Sequence, residues 1–379
     1  MTASIRDLLA IAIERGASDL HLSAGAYPKI RLYGKALPLT PAEVLTPTDT
    51  LALVSSVLTD DQAGRFLHGE AKELDFAFTL EDLGRFRANV YREHGGVAAA
   101  IHVVPVRIPS FQELGLAPGV EQLAGRPQGL VLVTGTTGSG KSTTLAAIID
   151  KINTERPGHI VTIEDPIEFV HSHKKCNVNQ REVHTHTDSF QDALRAVLRQ
   201  DPDVILVGEM RDLETIQAAL TVAETGHLTF GTLHTNSCAQ TITRIISVFP
   251  PHQQVQIRGQ LAMVLEGVVS QALLARADRP GLVLAQEVLL MTPAIRTLIR
   301  EDRLHQIYST MQAGTKYGMQ TMNQALARLA QNGLVTRDDA LNRSTVPDEL
   351  AQLISAGPGP NPPATRATAP YRERDPASA

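Results

Sequence analysis

Gly135-Thr136-Thr137-Gly138-Ser139-Gly140-Lys141-Ser142 is the stretch on which the reading of this chain turns. Two glycines at fixed spacing, followed by Lys and Ser, make the P-loop pattern. Upstream, Gly129-Leu130-Val131-Leu132-Val133-Thr134 is a short apolar run of the kind that forms a buried strand. Downstream, Leu145, Ile148, Ile149 and Ile152 recur at helical spacing, so a helix is predicted to start at the loop. Glycines let the backbone turn successive N–H groups onto phosphate oxygens, and the helix N-terminus adds its positive dipole end. The four fixed positions match by accident in roughly one chain in a hundred of this length. The strand–loop–helix context lowers that further, so a nucleotide site is expected over Gly135, Thr136, Thr137, Gly138, Ser139, Gly140, Lys141, Ser142 and Thr143. In such a site Lys141 reaches the β- and γ-phosphates and the Ser142 hydroxyl binds Mg²⁺.

At 379 residues the chain has room for two or three domains. Charged residues are 20% and hydrophobic residues 43%, ordinary for a globular protein. A net charge of −5 argues against bulk nucleic-acid binding. The two cysteines, Cys176 and Cys238, form no C-x-x-C pair and suggest no disulfide scaffold. No stretch of about 18 apolar residues occurs, and the longest candidate, 261–275, carries Glu266 and Gln271. The N-terminus lacks the basic-then-apolar pattern of a signal peptide. A cytoplasmic protein without a transmembrane segment is expected, reaching any membrane through a partner.

The first 105 residues read as a small α+β domain. Residues 1–16 are predicted helical, with Ile5, Leu8, Leu9, Ala12 and Ile13 on one face and Gly16 as the stop. Period-two runs follow at 18–22, 29–34, 73–78, 84–91 and 99–104, with a helix predicted over 46–67. Alternation of this kind implies an antiparallel sheet that is polar on one side. Residues 106–118 are punctuated by proline and read as a linker. From 119 to 355 short apolar strands at 130–134, 159–163, 203–207 and 228–233 alternate with helices at 141–154, 189–200 and 213–225, which implies a parallel sheet with crossover helices. Helices are also predicted at 252–274, 293–300, 319–333 and 336–354. Residues 356–379 are polar and proline-rich and are expected to be disordered.

Three further stretches accompany the loop. In His159-Ile160-Val161-Thr162-Ile163-Glu164-Asp165-Pro166-Ile167-Glu168 an apolar strand delivers carboxylates to its C-terminal end, where open α/β sheets bind ligands. The acids suit water positioning or metal binding; equally, Asp165 could cap a helix starting at Pro166. In Asp203-Val204-Ile205-Leu206-Val207-Gly208-Glu209-Met210-Arg211-Asp212 four apolar residues precede an acid, the Walker B pattern with Glu209 where Asp is commoner. An acid there supports the Mg²⁺ shell, and Asp212 reads as the cap of the next helix. In Glu224 to Thr235 a helix stops at Gly226, a strand follows, and His227 and His234 stand at its two ends. A histidine near a γ-phosphate can make a hydrogen bond that exists only in the ATP state. His171, His173, Cys176, His184 and His186 have spacings that occur among metal ligands but form no compact ligand set of known type, and a polar loop is expected there. Arg85 and Arg87 share one face of their strand, with Phe86, Ala88 and Val90 on the other. They fit a solvated face, or arginine fingers reaching the γ-phosphate of a neighbouring subunit.

These motifs, in this order and spacing, resemble those of the secretion ATPases of the type II and type IV pilus superfamily. The similarity runs from Gly16-Ala17-Ser18-Asp19-Leu20-His21-Leu22-Ser23 to about residue 350. Within the superfamily the chain closely resembles the pilus-retraction branch. Lys174-Lys175-Cys176-Asn177-Val178-Asn179-Gln180-Arg181-Glu182-Val183-His184 belongs to that likeness, as does Ala294-Ile295-Arg296-Thr297-Leu298-Ile299-Arg300-Glu301. The second of these matches the branch's AIRNLIRE motif except that Thr297 replaces Asn, and Thr136 stands where the family usually has Pro. The resemblance implies a homohexameric ring of subunits, each with a PAS-like N-terminal domain and a RecA-like ATPase domain, with ATP held between them. It implies that Glu164 polarises the attacking water, that Glu209 supports Mg²⁺ and that His227 and His234 couple nucleotide state to conformation. Arg85 and Arg87 would contact nucleotide. The implied partners are the polytopic inner-membrane platform protein at the pilus base, to which the ring is peripheral, and a paralogous retraction ATPase. Assembly ATPases of the superfamily usually carry a four-cysteine zinc insertion, which two scattered cysteines do not supply. The rivals are an assembly or secretion ATPase of the same fold, and a non-catalytic nucleotide-binding partner of another motor. A nucleic-acid motor lacks both basic surplus and stacking aromatics, the chain having no Trp.

Overall fold

The computed structural model describes residues 4–32, 34–39, 42–104 and 107–357. The polar tail beyond 357 lies outside the described residues. Two compact units are present, one formed by the chain up to Arg107 with Glu168–Val170, the other by the remainder.

The first unit is a six-stranded sheet of β1 (Asp19–Leu22), β2 (Lys29–Leu32), β3 (Lys35–Pro38), β4 (Glu73–Leu80), β5 (Gly84–Glu93) and β6 (Gly96–Val103), in the order β3-β2-β1-β6-β5-β4. Every pairing is antiparallel. Alternation sorts its faces. Leu20, Leu22, Ile30, Phe86, Ala88, Val90 and Ile101 are buried, and Phe86 stacks on Phe78 with ring centroids 5.3 Å apart. The other face carries a cross-strand row, Arg31 opposite Asp19, Asp19 opposite His102, and His102 opposite Arg87. Helix Ile5–Glu14 opens with a reciprocal cap between Ser4 and Asp7. The single helix predicted over 46–67 is two, Pro47–Ser55 and Asp60–Leu67, because Thr59 starts a second capping box with Gln62. Strand β3, four exposed residues without alternation, gave no periodic signal.

The second unit is a seven-stranded sheet, order β13-β12-β7-β11-β10-β8-β9. Its strands are β7 (Gly129–Thr134), β8 (Gly158–Glu164), β9 (Cys176–Glu182), β10 (Val204–Val207), β11 (Leu228–Leu233), β12 (Leu265–Ala275) and β13 (Leu282–Leu290). All neighbours pair in parallel except β12 with β13. All residues of β7, β10 and β11 are buried, as strands covered by helices on both faces must be. Helices Lys141–Glu155, Phe190–Val197 and Leu213–Glu224 supply crossovers.

The predicted helix over 252–274 is corrected. Helix Pro251–Val264 ends at Leu265, whose ψ of 129° is extended, and β12 continues the chain. Its near-unbroken apolar run has no period that separates a buried helix from a buried strand. What decides for a strand is the partner on each side, β7 and β13. A Cβ on Gly267 would stand 2.6 Å from Leu123 and 2.7 Å from the Leu289 carbonyl, so only glycine admits this packing. The segment 336–354 is likewise two helices, Arg337–Arg343 and Pro347–Ser355.

Glu287 of β13, 3% exposed, ties this edge to two helices. Its carboxylate accepts the Cys238 N–H at 2.7 Å and the Met322 N–H at 3.3 Å, the first residues of helices Cys238–Val248 and Met322–Gln331. Burial pushes its pKa up, and these donors pull it back only in part. Glu287→Ala leaves two helix-terminal donors unpaired beside a cavity. It is expected to destabilise the protein by about 2–4 kcal/mol, read as a fall in the thermal unfolding midpoint. An unchanged midpoint would show that water satisfies those donors.

Candidate nucleotide site

The C-terminal ends of the parallel strands bring the sequence motifs together. β7 feeds the glycine loop, β8 ends at Glu164, β10 runs into Gly208 and Glu209, and β11 runs into His234.

The loop needs its glycines. Gly135, Gly138 and Gly140 have φ of 142°, 76° and 88°, a region that side chains rarely adopt. A Cβ on Gly135 would also run into the Ser139 hydroxyl and stand 2.5 Å from the Gln271 carbonyl. Gly140 starts helix Lys141–Glu155 with no side-chain cap and no acid in the first turn, leaving the positive helix end to a ligand. Ser139 Oγ is buried and has no hydrogen-bond partner among the described residues. An orphan hydroxyl, an uncapped helix end and positive-φ glycines are what an oxyanion would satisfy. Lys141 donates to the Gly135 and Thr136 carbonyls, both at 3.0 Å.

Glu209 stands beside the loop. Burial raises its pKa, but the Arg211 guanidinium and the charges of His234 and Lys141 outweigh burial and hold the carboxyl below its ordinary value. Arg211 grips both oxygens, Nε to Oε1 at 2.6 Å and Nη2 to Oε2 at 2.7 Å, and His234 Nε2 lies 2.9 Å from Oε1. An ionised, half-buried acid of this kind fits a Mg²⁺ shell, with the Ser142 hydroxyl as its counterpart on the loop helix. Gly208 lets β10 approach β8, since a Cβ there would meet the Glu164 Cα and the Ile163 carbonyl at 3.2 Å each. Asp165 caps no helix, because the chain leaves β8 irregularly and next pairs as β9. Asp212 does cap the next helix, accepting from Thr215 N at 2.8 Å.

The two histidines of the His stretch do not meet within the chain. β11 separates them by its full length, roughly 20 Å at strand rise. His227 lies at the N-terminal end, its Nδ1 near Thr225 Oγ1 at 3.0 Å and the Val222 carbonyl at 3.2 Å. Arg85 and Arg87 belong to the other unit, on the non-core face of β5. Arg92 is structural, donating to the Phe66 carbonyl at 2.7 Å over that ring. In the histidine-rich stretch, His173 Nδ1 accepts from Val178 N and His186 Nδ1 from Glu182 N, so backbone geometry occupies both.

Several residues here escaped the sequence reading. Arg211 carried one available signal, its place two residues after the acid. Gln271 of β12 donates to Thr144 Oγ1 at 2.7 Å, and Thr235, Thr241 and Thr134 form a buried hydroxyl chain from the β11 loop to β7. Threonines in strands and helices are too common to mark these in advance. In the AIRNLIRE-like helix, Arg296 reaches the Ala262 carbonyl at 2.7 Å and Glu266 at 2.6 Å, clamping the end of helix Pro251–Val264. Thr297 keeps its hydroxyl on its own helix, donating to the Pro293 carbonyl at 3.0 Å.

The type II/IV secretion system protein family model matches residues 104–341. The type IV pilus retraction ATPase PilT of Pseudomonas aeruginosa is 48% identical over 348 residues, 91% of this chain and 99% of that protein. The twitching motility protein of Neisseria gonorrhoeae is 48% identical over 84% of each chain. A crystal structure of the pilus retraction motor PilT with bound ADP superposes with a TM-score of 0.85 at 51% identity, covering 92% of this chain and 99% of that one. Among the described residues, no helix is long and apolar enough to cross a membrane.

Proposed function

Since the chain belongs to the type II/IV secretion system protein family, we propose that it is an ATP-hydrolysing motor that powers retraction of type IV pili. The observation that carries this reading is the joint placement of the glycine loop, Glu164, Glu209 and His234 at one end of a parallel sheet, in a chain nearly half identical to a retraction ATPase throughout. The likeness to an ADP-bound motor supports the nucleotide assignment.

Catalysis here is positioning and charge stabilisation. The loop N–H groups and Lys141 hold the β- and γ-phosphates. Glu164 orients the attacking water. Mg²⁺, held by Ser142 and Glu209, would neutralise charge on the phosphate oxygens. Arg211 keeps Glu209 ionised and pointed, and His234, on the same carboxylate, would report the γ-phosphate. His227, at the far end of β11, would act at a distance through that strand. We further propose a homohexamer in which Arg85 and Arg87 reach nucleotide bound by a neighbouring subunit. The ring would work at the cytoplasmic face of the inner membrane on the pilus platform protein, with a paralogous ATPase as a second partner.

A strain lacking this gene tests the reading. More surface pili than wild type, with twitching lost, is the expected result. Bald cells would make it an assembly motor, and unchanged pili would refute a pilus role for this chain acting alone.

A further inference from the structure

We propose that Thr162 and Gln180 are positioning residues for Glu164, holding its carboxylate aimed at the attacking water. The inference deepens the hydrolytic reading above and rests on it.

Thr162 and Glu164 lie two apart on β8 and so project to one face. Gln180 of the edge strand β9 stands directly opposite Thr162 in the parallel register. The Thr162 hydroxyl, on a fully buried residue, donates to Glu164 Oε1 at 2.7 Å. Gln180 Nε2 donates to the same oxygen at 3.2 Å. The Gln180 amide cannot turn over without loss, because its own oxygen accepts the His171 N–H at 2.8 Å. Two donors on different strands thus converge on one carboxylate oxygen and set the plane of the group.

The chemistry follows from what such donors favour. A hydrogen bond to the charged form of a carboxylate lowers its proton affinity. Donors of this kind favour the ionised carboxylate at the cost of some basicity. That trade suits phosphoryl transfer, where aiming the water matters more than removing its proton early. The position of β9 acquires a purpose, since it brings Gln180 to the site across the 165–175 excursion.

The test is steady-state hydrolysis by the purified full-length protein. Thr162→Val, Thr162→Ser, Gln180→Leu and Glu164→Gln are compared across the pH range in which carboxylates and histidines titrate. Thr162→Val is expected to lower kcat about tenfold, the worth of a hydrogen bond to a charged group, with KM for ATP unchanged. The acid limb of its kcat profile should move to higher pH, because the carboxylate loses a donor that favoured ionisation. Thr162→Ser keeps the hydroxyl and should restore both rate and profile. Gln180→Leu should act in the same direction and more weakly. It carries the test alone if the buried valine prevents folding. Wild-type kcat with an unmoved acid limb in Thr162→Val and Gln180→Leu, or a raised KM at unchanged kcat, would overturn the proposal. Glu164→Gln separates the levels. If it is inactive while the Thr162 and Gln180 variants behave as wild type, positioning by these residues fails and water orientation by Glu164 stands. If it hydrolyses ATP normally, both fail.

Discussion

Lys141→Ala is expected to abolish ATP hydrolysis. The ammonium is the one side-chain cation delivered by the glycine loop, and it already lies on the loop, 3.0 Å from the Gly135 and Thr136 carbonyls. Nucleotide phosphates would replace those carbonyls as partners, and charge building on the γ-phosphoryl oxygens in the transition state would then face a fixed cation. Removing one preorganised donor of this kind costs about 10²–10³ in rate, and losing a full positive charge beside a polyphosphate costs at least that. The loop itself should survive, because its shape comes from the glycines and the strand–helix junction. Turnover in the purified variant, measured as phosphate release, is the readout. A rate near wild type would remove the nucleotide site from this loop and with it the proposed function.

Glu164→Gln should separate binding from chemistry. The carboxylate stands at the end of β8, not on the loop, and accepts from Thr162 and Gln180. ATP affinity is therefore expected to stay close to wild type. Hydrolysis should fall by about 10²–10⁴, the span for a positioned acid–base group. The amide keeps the size and one oxygen of the acid but cannot orient water by charge. Equilibrium binding of a fluorescent nucleotide, alongside phosphate release, gives both quantities. Weakened binding with unaffected turnover would assign Glu164 to the phosphates rather than to the water.

Much of this was legible in the residues, for local reasons. The glycine loop is readable because its backbone demands positive φ at Gly135, Gly138 and Gly140, and few patterns satisfy that next to a buried strand and a helix. Strands β7, β8, β10 and β11 were readable because burial leaves an apolar run, leading into the glycine loop after β7, into an acid at β8 and β10 and into a histidine after β11. Strand β12 was not, since an apolar run without period fits a buried helix equally until its neighbours are known. Strand β9 was not either, because its alternating polar residues look like a loop unless β8 is beside them. The helix break at Thr59 and Gln62 has a local signal, a capping box at three-residue spacing, although the apolar pattern alone runs on through it.

By itself, then, the sequence determined the α/β class, the nucleotide loop, the acids and the family. Each of these depends on residue type and spacing over a few positions. Only the tertiary structure decided which side chains act on those acids. His234 reaches Glu209 from the end of a neighbouring strand, beside Arg211 two residues on, and Gln180 reaches Glu164 from β9, beside Thr162 two residues before it. It also set His227 at the opposite end of β11 from His234. The physical reason is that side-chain hydrogen bonds are short-range. They exist or fail on a difference of about 1 Å, and sheet register sets that difference.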